Sequence, residues 1–193
     1  MKQPRARRIR ELAFRALFQL DAVSWQPGDG AEGDASLAEG DRSEPPADAD
    51  LLGVRDALFD EDDGPGASPI AIPTDEAEAN EALRTAASVY LLRRVADTEL
   101  NEAAPSWPAH RRPSADRAIL RLGWYELTRA GVAPRIAINE AVELAKRYST
   151  DRSPAFINGV LDTVAKAHAV AAESNGAPAH AADADVPNES EEA

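Results

Sequence analysis

Apolar side chains recur at helical spacing through most of this 193-residue chain, and no run alternates apolar and polar positions as a half-buried strand would. From Arg5 to Ser24, the residues Ile9, Leu12, Ala13, Ala16, Leu17 and Leu20 fall on one stripe at i, i+3, i+4 and i+7 steps. A second amphipathic stretch runs from about Asp75 to Ala104, with Ala79, Leu83, Ala86, Ala87, Tyr90 and Leu91 on its apolar side; Pro105 and Pro108 end it. Ser114 offers an N-cap for a helix carrying Ile119, Leu120, Leu122 and Trp124, with Gly131 as its C-cap and Pro134 just beyond. A further helix, about Ala137 to Tyr148, presents Ile138, Ala141, Val142 and Ala145. Ser153 followed by Pro154 reads as a cap with proline at the first helical position, opening a last helix with Phe156, Ile157, Val160, Leu161 and Val164. Short links between the last three helices predict an all-α fold, a compact helical bundle.

Two stretches break the pattern. Pro27 to Asp50 and Asp60 to Pro73 are rich in Gly, Pro, Ala, Asp and Glu and hold few large apolar residues, too few to offset the entropy of ordering them. Between them, Leu51, Leu52, Val54, Leu58 and Phe59 predict a short helix. From Ala172 the composition turns again to Ala, Asp, Glu and Pro. The expected organisation is one helical domain from residues 1–26 and 75–170, an acidic low-complexity insert at 27–74 and an acidic disordered tail at 171–193, the last two serving as solubilising segments.

Charge follows this division. The net charge of −13 hides a first segment, 1–26, with six basic and two acidic side chains. Residues 27–80 carry two basic and sixteen acidic side chains, residues 81–168 thirteen and ten, and residues 169–193 none and six. Phosphate binding depends on where cations cluster, so the acidic total does not exclude nucleic acid. The chain has no cysteine, which removes disulfides, thiolate zinc sites and cysteine nucleophiles. No stretch approaches the roughly 18 apolar residues of a membrane span, and the basic N-terminus leads into no apolar signal core, so a soluble cytoplasmic protein is expected.

Catalytic chemistry has no foothold. His110, His168 and His180 have no metal-ligand spacing, and the glycines gather in the insert rather than in a phosphate-binding loop. Asn139, Glu140 and Glu143 lack a companion base, nucleophile or oxyanion donor and read as groups at a helix N-terminus. Asn158–Gly159 reads as a point of close helix packing. A non-enzyme without metal or cofactor is expected.

The first helix is less ordinary. Opposite its core stripe, centred near Leu20 and Ile9, lie Arg7, Arg8, Glu11, Phe14, Arg15 and Phe18. Arginines among aromatics suit single-stranded RNA, where guanidinium groups meet phosphates and rings stack on splayed bases. The plainer alternative has both phenylalanines packed beneath another helix and the arginines solvated.

Three blocks, ARRIRELAFRALFQLD (6–21), DRAILRLGWYEL (116–127) and IAINEAVELAKRYSTDRSPAFINGVLD (136–162), resemble the NusB family in order and spacing. The resemblance covers residues 5–26 and roughly 75–168 and implies a transcription antitermination factor. Such a factor pairs with NusE, a ribosomal small-subunit protein, and binds boxA RNA. It works with other Nus factors and RNA polymerase to promote ribosomal RNA transcription. The family's arginine-rich segment falls on Arg5, Arg7, Arg8 and Arg10, and its first-helix aromatic, implied to serve RNA and protein partner, on Phe18. Asp116 is implied to meet the protein partner, Arg121 and Arg135 to lie near the RNA side, and Phe156 is the aromatic of the last block. Phenylalanine replaces the frequent tyrosine at position 18, and Arg152 stands where relatives can carry an acid. Two alternatives stay open: a helical interaction module without RNA binding, and the NusB-like domain of an RNA cytosine methyltransferase. The second is disfavoured because an α/β pattern is absent and the chain is expected to end before such a domain.

Overall fold

A computed structural model of the chain describes residues 4–24, 48–59, 73 and 75–175. Their regular structure is helical throughout: α1 (Arg5–Ser24), α2 (Asp48–Leu58), α3 (Glu76–Leu91), α4 (Arg93–Ala103), a 3-10 turn (Ala109–Arg111), α5 (Ser114–Thr128), α6 (Pro134–Tyr148) and α7 (Ser153–Asn175). The all-α bundle expected from the periodicity is present.

α1 lies at the centre. Its stripe of Leu12, Ala13, Ala16 and Leu17 is fully buried, packed towards α3 and α5. The opposite side is covered too. Glu11 and Phe14 are buried, and the Phe14 ring packs at a tilt against Tyr148 of α6, with centroids 4.9 Å apart. Much of the helix is therefore enclosed, and its buried polar groups keep partners in place of water.

The stretch expected as one helix from Asp75 to Ala104 is two. At Leu92 the backbone takes φ −95° and ψ 5°, and its N–H is shared between the carbonyls of Ser88 (3.3 Å) and Val89 (3.2 Å). No glycine or proline marks this break. α3 follows α1, whereas α4 packs against α5 and α7, and the chain bends so that each apolar face meets its own partner.

α2 forms within the acid-rich stretch because Val54 and Leu58 reach the core, and Arg15 of α1 donates to the carbonyl of Ala57 at 3.3 Å. The disorder expected for the rest of the insert, and for the tail beyond Asn175, concerns residues outside those described. α7 continues to Asn175, past the point where composition put its end.

Several local expectations shift. Ser114 opens α5 instead of capping it, with Pro113 at the cap position. Gly131 takes φ +67° beyond the C-cap Arg129, as its lack of Cβ allows. Pro134 opens α6, three residues before the expected Ala137. The close helix approach lies at Gly123, not Gly159. A Cβ on Gly123 would stand 2.6 Å from Leu161 Cδ1, so that this side chain or α5 itself has to shift, while one on Gly159 would meet nothing within 4 Å.

Candidate nucleic-acid interface

The arginines of α1 do not stand free in solvent. Arg7 makes a two-pronged bond to Glu140 of α6, through Nε at 2.9 Å and Nη2 at 2.7 Å. Arg10 binds Glu126 of α5 at 2.6 Å and lies 3.4 Å from Glu140. Arg8 pairs with the buried Glu78 of α3, and Arg5, the most exposed of the four, pairs with Glu81 at 2.6 Å. Hydrogen bonding from Arg7 holds the Glu140 carboxyl below the ordinary carboxylate range, and the same bond raises the Arg7 pKa. Burial pushes Glu126 up despite Arg10.

The two phenylalanines part company. Phe14 is buried, as the plainer alternative held, but Phe18 is 39% exposed. Their rings lie 6.3 Å apart, so Phe18, Phe14 and Tyr148 form an aromatic ladder with one open end. Beneath it, the buried Glu11 carboxylate accepts from Tyr148 Oη and from Arg147 Nη1 (2.9 Å). Burial, then the bond to Glu11, raises the Tyr148 pKa, so the hydroxyl stays a donor. α1 thus carries partly exposed, carboxylate-paired guanidinium groups towards its start and an exposed ring further along. Among the described residues no cluster of three His, Cys, Asp or Glu side chains is placed to hold a metal, and no helix is long and apolar enough to cross a membrane.

Residues 71–166 match the family model described as NusB family. Over 162 residues the chain is 31% identical to the transcription antitermination protein NusB of Anaeromyxobacter dehalogenans, spanning 83% of this chain and 90% of that protein. The chain belongs to the NusB family. A solved structure of NusB from T. maritima superposes with a TM-score of 0.57 at 28% identity, over 86% of this chain and 93% of that one. Other NusB relatives align over less of their length. The match to the Nitratiruptor protein is 54% identical but spans only 50% of it, and that to the Clostridium tetani protein is 42% identical and spans 63%. These relatives are named as antitermination proteins rather than enzymes, in agreement with the non-enzymatic reading of the sequence.

Two residues that the NusB resemblance pointed to are placed differently from the expectation. Arg121 is 6% exposed and donates to Asp21 at 2.6 Å and to Asp97 at 2.5 and 2.9 Å, with Arg117 completing the cluster through Asp21 at 2.8 Å. Burial works against its charge, but Asp97 and Asp21 outweigh it and the pKa is raised. Arg121 is thus part of the core, tied to Asp21 of α1, which lies some 20 Å along that helix from Arg7 at about 1.5 Å per residue. Asp116 is 4% exposed and accepts from the hydroxyls of Ser149 and Ser153, tying the start of α5 to the α6–α7 turn. Its carboxylate is occupied within the fold. Arg135 is exposed in the first turn of α6, Phe156 is half-buried against the core, and Arg152 is exposed.

The sequence reading missed the part played by α6 in this NusB-family face. Glu140, Glu143 and Arg147 share one side of the helix at i, i+3 and i+7, a legible signal. Starting α6 at Ala137 made Asn139, Glu140 and Glu143 look like end groups; starting at Pro134 places them inside the helix, where Glu140 serves Arg7 and Arg10.

Proposed function

We propose that this NusB-family chain is a cytoplasmic transcription antitermination factor that binds boxA RNA as a heterodimer with the ribosomal small-subunit protein NusE. Together with other Nus factors and RNA polymerase it promotes ribosomal RNA transcription. Residues 1–26 and 75–170 form the RNA-binding unit on this reading. The observation that carries it is that one helix, α1, carries two arginines with exposed side chains, Arg5 and Arg7, and the open ring of Phe18. Arg8, Arg10, Arg135 and Phe156 belong to the same set, and Phe18 also faces the protein partner. Titration of a boxA oligoribonucleotide with and without NusE, at several salt concentrations, tests it. Salt-dependent binding that tightens with the partner is expected; no binding in either condition overturns it.

A second reading draws on a specific observation: Arg5, Arg7, Arg8 and Arg10 each already have a carboxylate. A helical module that binds protein alone needs no more than this. Partner binding without RNA binding in the same titration selects it.

A further inference from the structure

Between α1 and α6 runs a groove of about 420 Å³ that none of the sequence-assigned RNA residues on α5 or α7 enters. Arg7, Arg10, Lys146 and Arg147 supply its cations, and Glu11, Glu140 and Glu143 its carboxylates. Two of the carboxylates are tied to particular partners. Glu11 accepts from Tyr148 and Arg147, and Glu143 pairs with its neighbour one turn on, Lys146, at 2.7 Å. Glu140 bridges Arg7 and Arg10.

What the cations leave unused is more informative. Nη2 of Arg147 is buried and has no hydrogen-bond partner among the described residues. A guanidinium N–H in that state needs an acceptor. The Arg147 guanidinium is held 5.2 Å over the Tyr148 ring, fixed in orientation by the ring and by Glu11. The Lys146 side chain is 58% exposed at the mouth, and that of Arg7 is 41% exposed. The ladder Tyr148, Phe14, Phe18 leads from this groove to the open ring of Phe18.

We propose that the groove takes a phosphodiester of single-stranded RNA, accepted by Arg147, Lys146 and Arg7, with Glu140 as the built-in competitor for Arg7. The inference rests on the RNA-binding reading above and adds α6 to the interface. Phosphate oxygens are acceptors suited to guanidinium groups, and a turn of the Arg147 side chain brings its buried Nη2 to one. For the strand to enter, Arg7 exchanges Glu140 for phosphate, and a base further along the strand stacks on Phe18. The acid therefore sets how tightly the strand is held.

The test is fluorescence anisotropy of a labelled boxA oligoribonucleotide with the full chain and its small-subunit partner over a salt series. Lys146→Gln, an exposed change, is expected to weaken binding about 3- to 10-fold and to lower the salt slope by about 0.7, the value for one phosphate contact on a single strand. Glu140→Gln is expected to tighten binding by a similar factor. Arg147→Gln, checked for folding by thermal melting, should weaken it. If Arg5→Gln weakens binding while Lys146→Gln and Glu140→Gln leave it unchanged, the groove is overturned and the RNA reading stands. Weaker binding by Glu140→Gln overturns the competitor role. If the wild-type complex binds no RNA, both fall together.

Discussion

At the N-terminal end of α1, Arg7 and Arg10 meet Glu140 at the lip of a groove; at the C-terminal end, Asp21 meets Arg117 and Arg121 in the interior. The chemistry is the same arginine–carboxylate pair, with distances of 2.6 to 2.8 Å in the tightest bond of each. What differs is the surroundings. Asp21, Arg117 and Arg121 are buried, with Asp97 as the cluster's least enclosed member, so the charges chiefly have each other and an incoming phosphate finds little to exchange with. The Arg7 pair is partly solvated and its energy is correspondingly small, so a better anion can replace the carboxylate. A helix can thus make the same kind of ion pair at both ends, one holding the fold and the other available for exchange.

The largest effect is expected from breaking the inner cluster. Asp21→Ala leaves Arg117 and part of Arg121 buried without a counter-charge, and a loss of roughly 3–5 kcal/mol is expected in urea denaturation. RNA affinity, measured under conditions where the variant is folded, should not change; a selective loss of affinity would break the comparison. Next comes the helix contact that supports the frame. Gly123→Ala drives a methyl against Leu161, and a cost of about 1–3 kcal/mol is expected from the same measurement. A neutral result would show that a shift of the Leu161 side chain, with alanine's better helix propensity, offsets the clash.

At the outer end the order of effects reverses. Arg7→Gln should change stability by less than about 1 kcal/mol, as a partly exposed pair does. It should nevertheless lower the salt slope of RNA binding by about 0.7. An unchanged slope would place Arg7 with the structural arginines. The smallest effect concerns acid. Because Arg7 depresses the Glu140 pKa below its ordinary value of 4.5, the pair contributes stability that is complete above that value and is lost as pH falls through the depressed one. Denaturation at stepped pH should show a shallower acid-side decline for Glu140→Gln than for the wild type. Identical declines would mean that the pair does not form in solution.

Much of this was legible in the sequence, for reasons that particular residues make plain. Leu12, Ala16 and Leu17, or Ile157, Val160, Leu161 and Val164, sit at helical spacing, and burial follows from that spacing alone. The break at Leu92 carries no glycine or proline, because it answers to which neighbours α3 and α4 find. Arg121 looked like a surface cation since its partners, Asp21 and Asp97, stand 100 and 24 residues away in the chain. The groove was hidden for the same reason: Arg7 and Glu140 are 133 residues apart.

By itself the sequence determined the helices, their apolar faces, the arginines of the first helix and, through three ordered blocks, the family. Those are properties of local spacing and residue type. Only the tertiary structure decided which arginines are enclosed and which remain exchangeable. The reason is physical: the worth of an ion pair depends on the solvent left around it, and that is set by how distant helices pack.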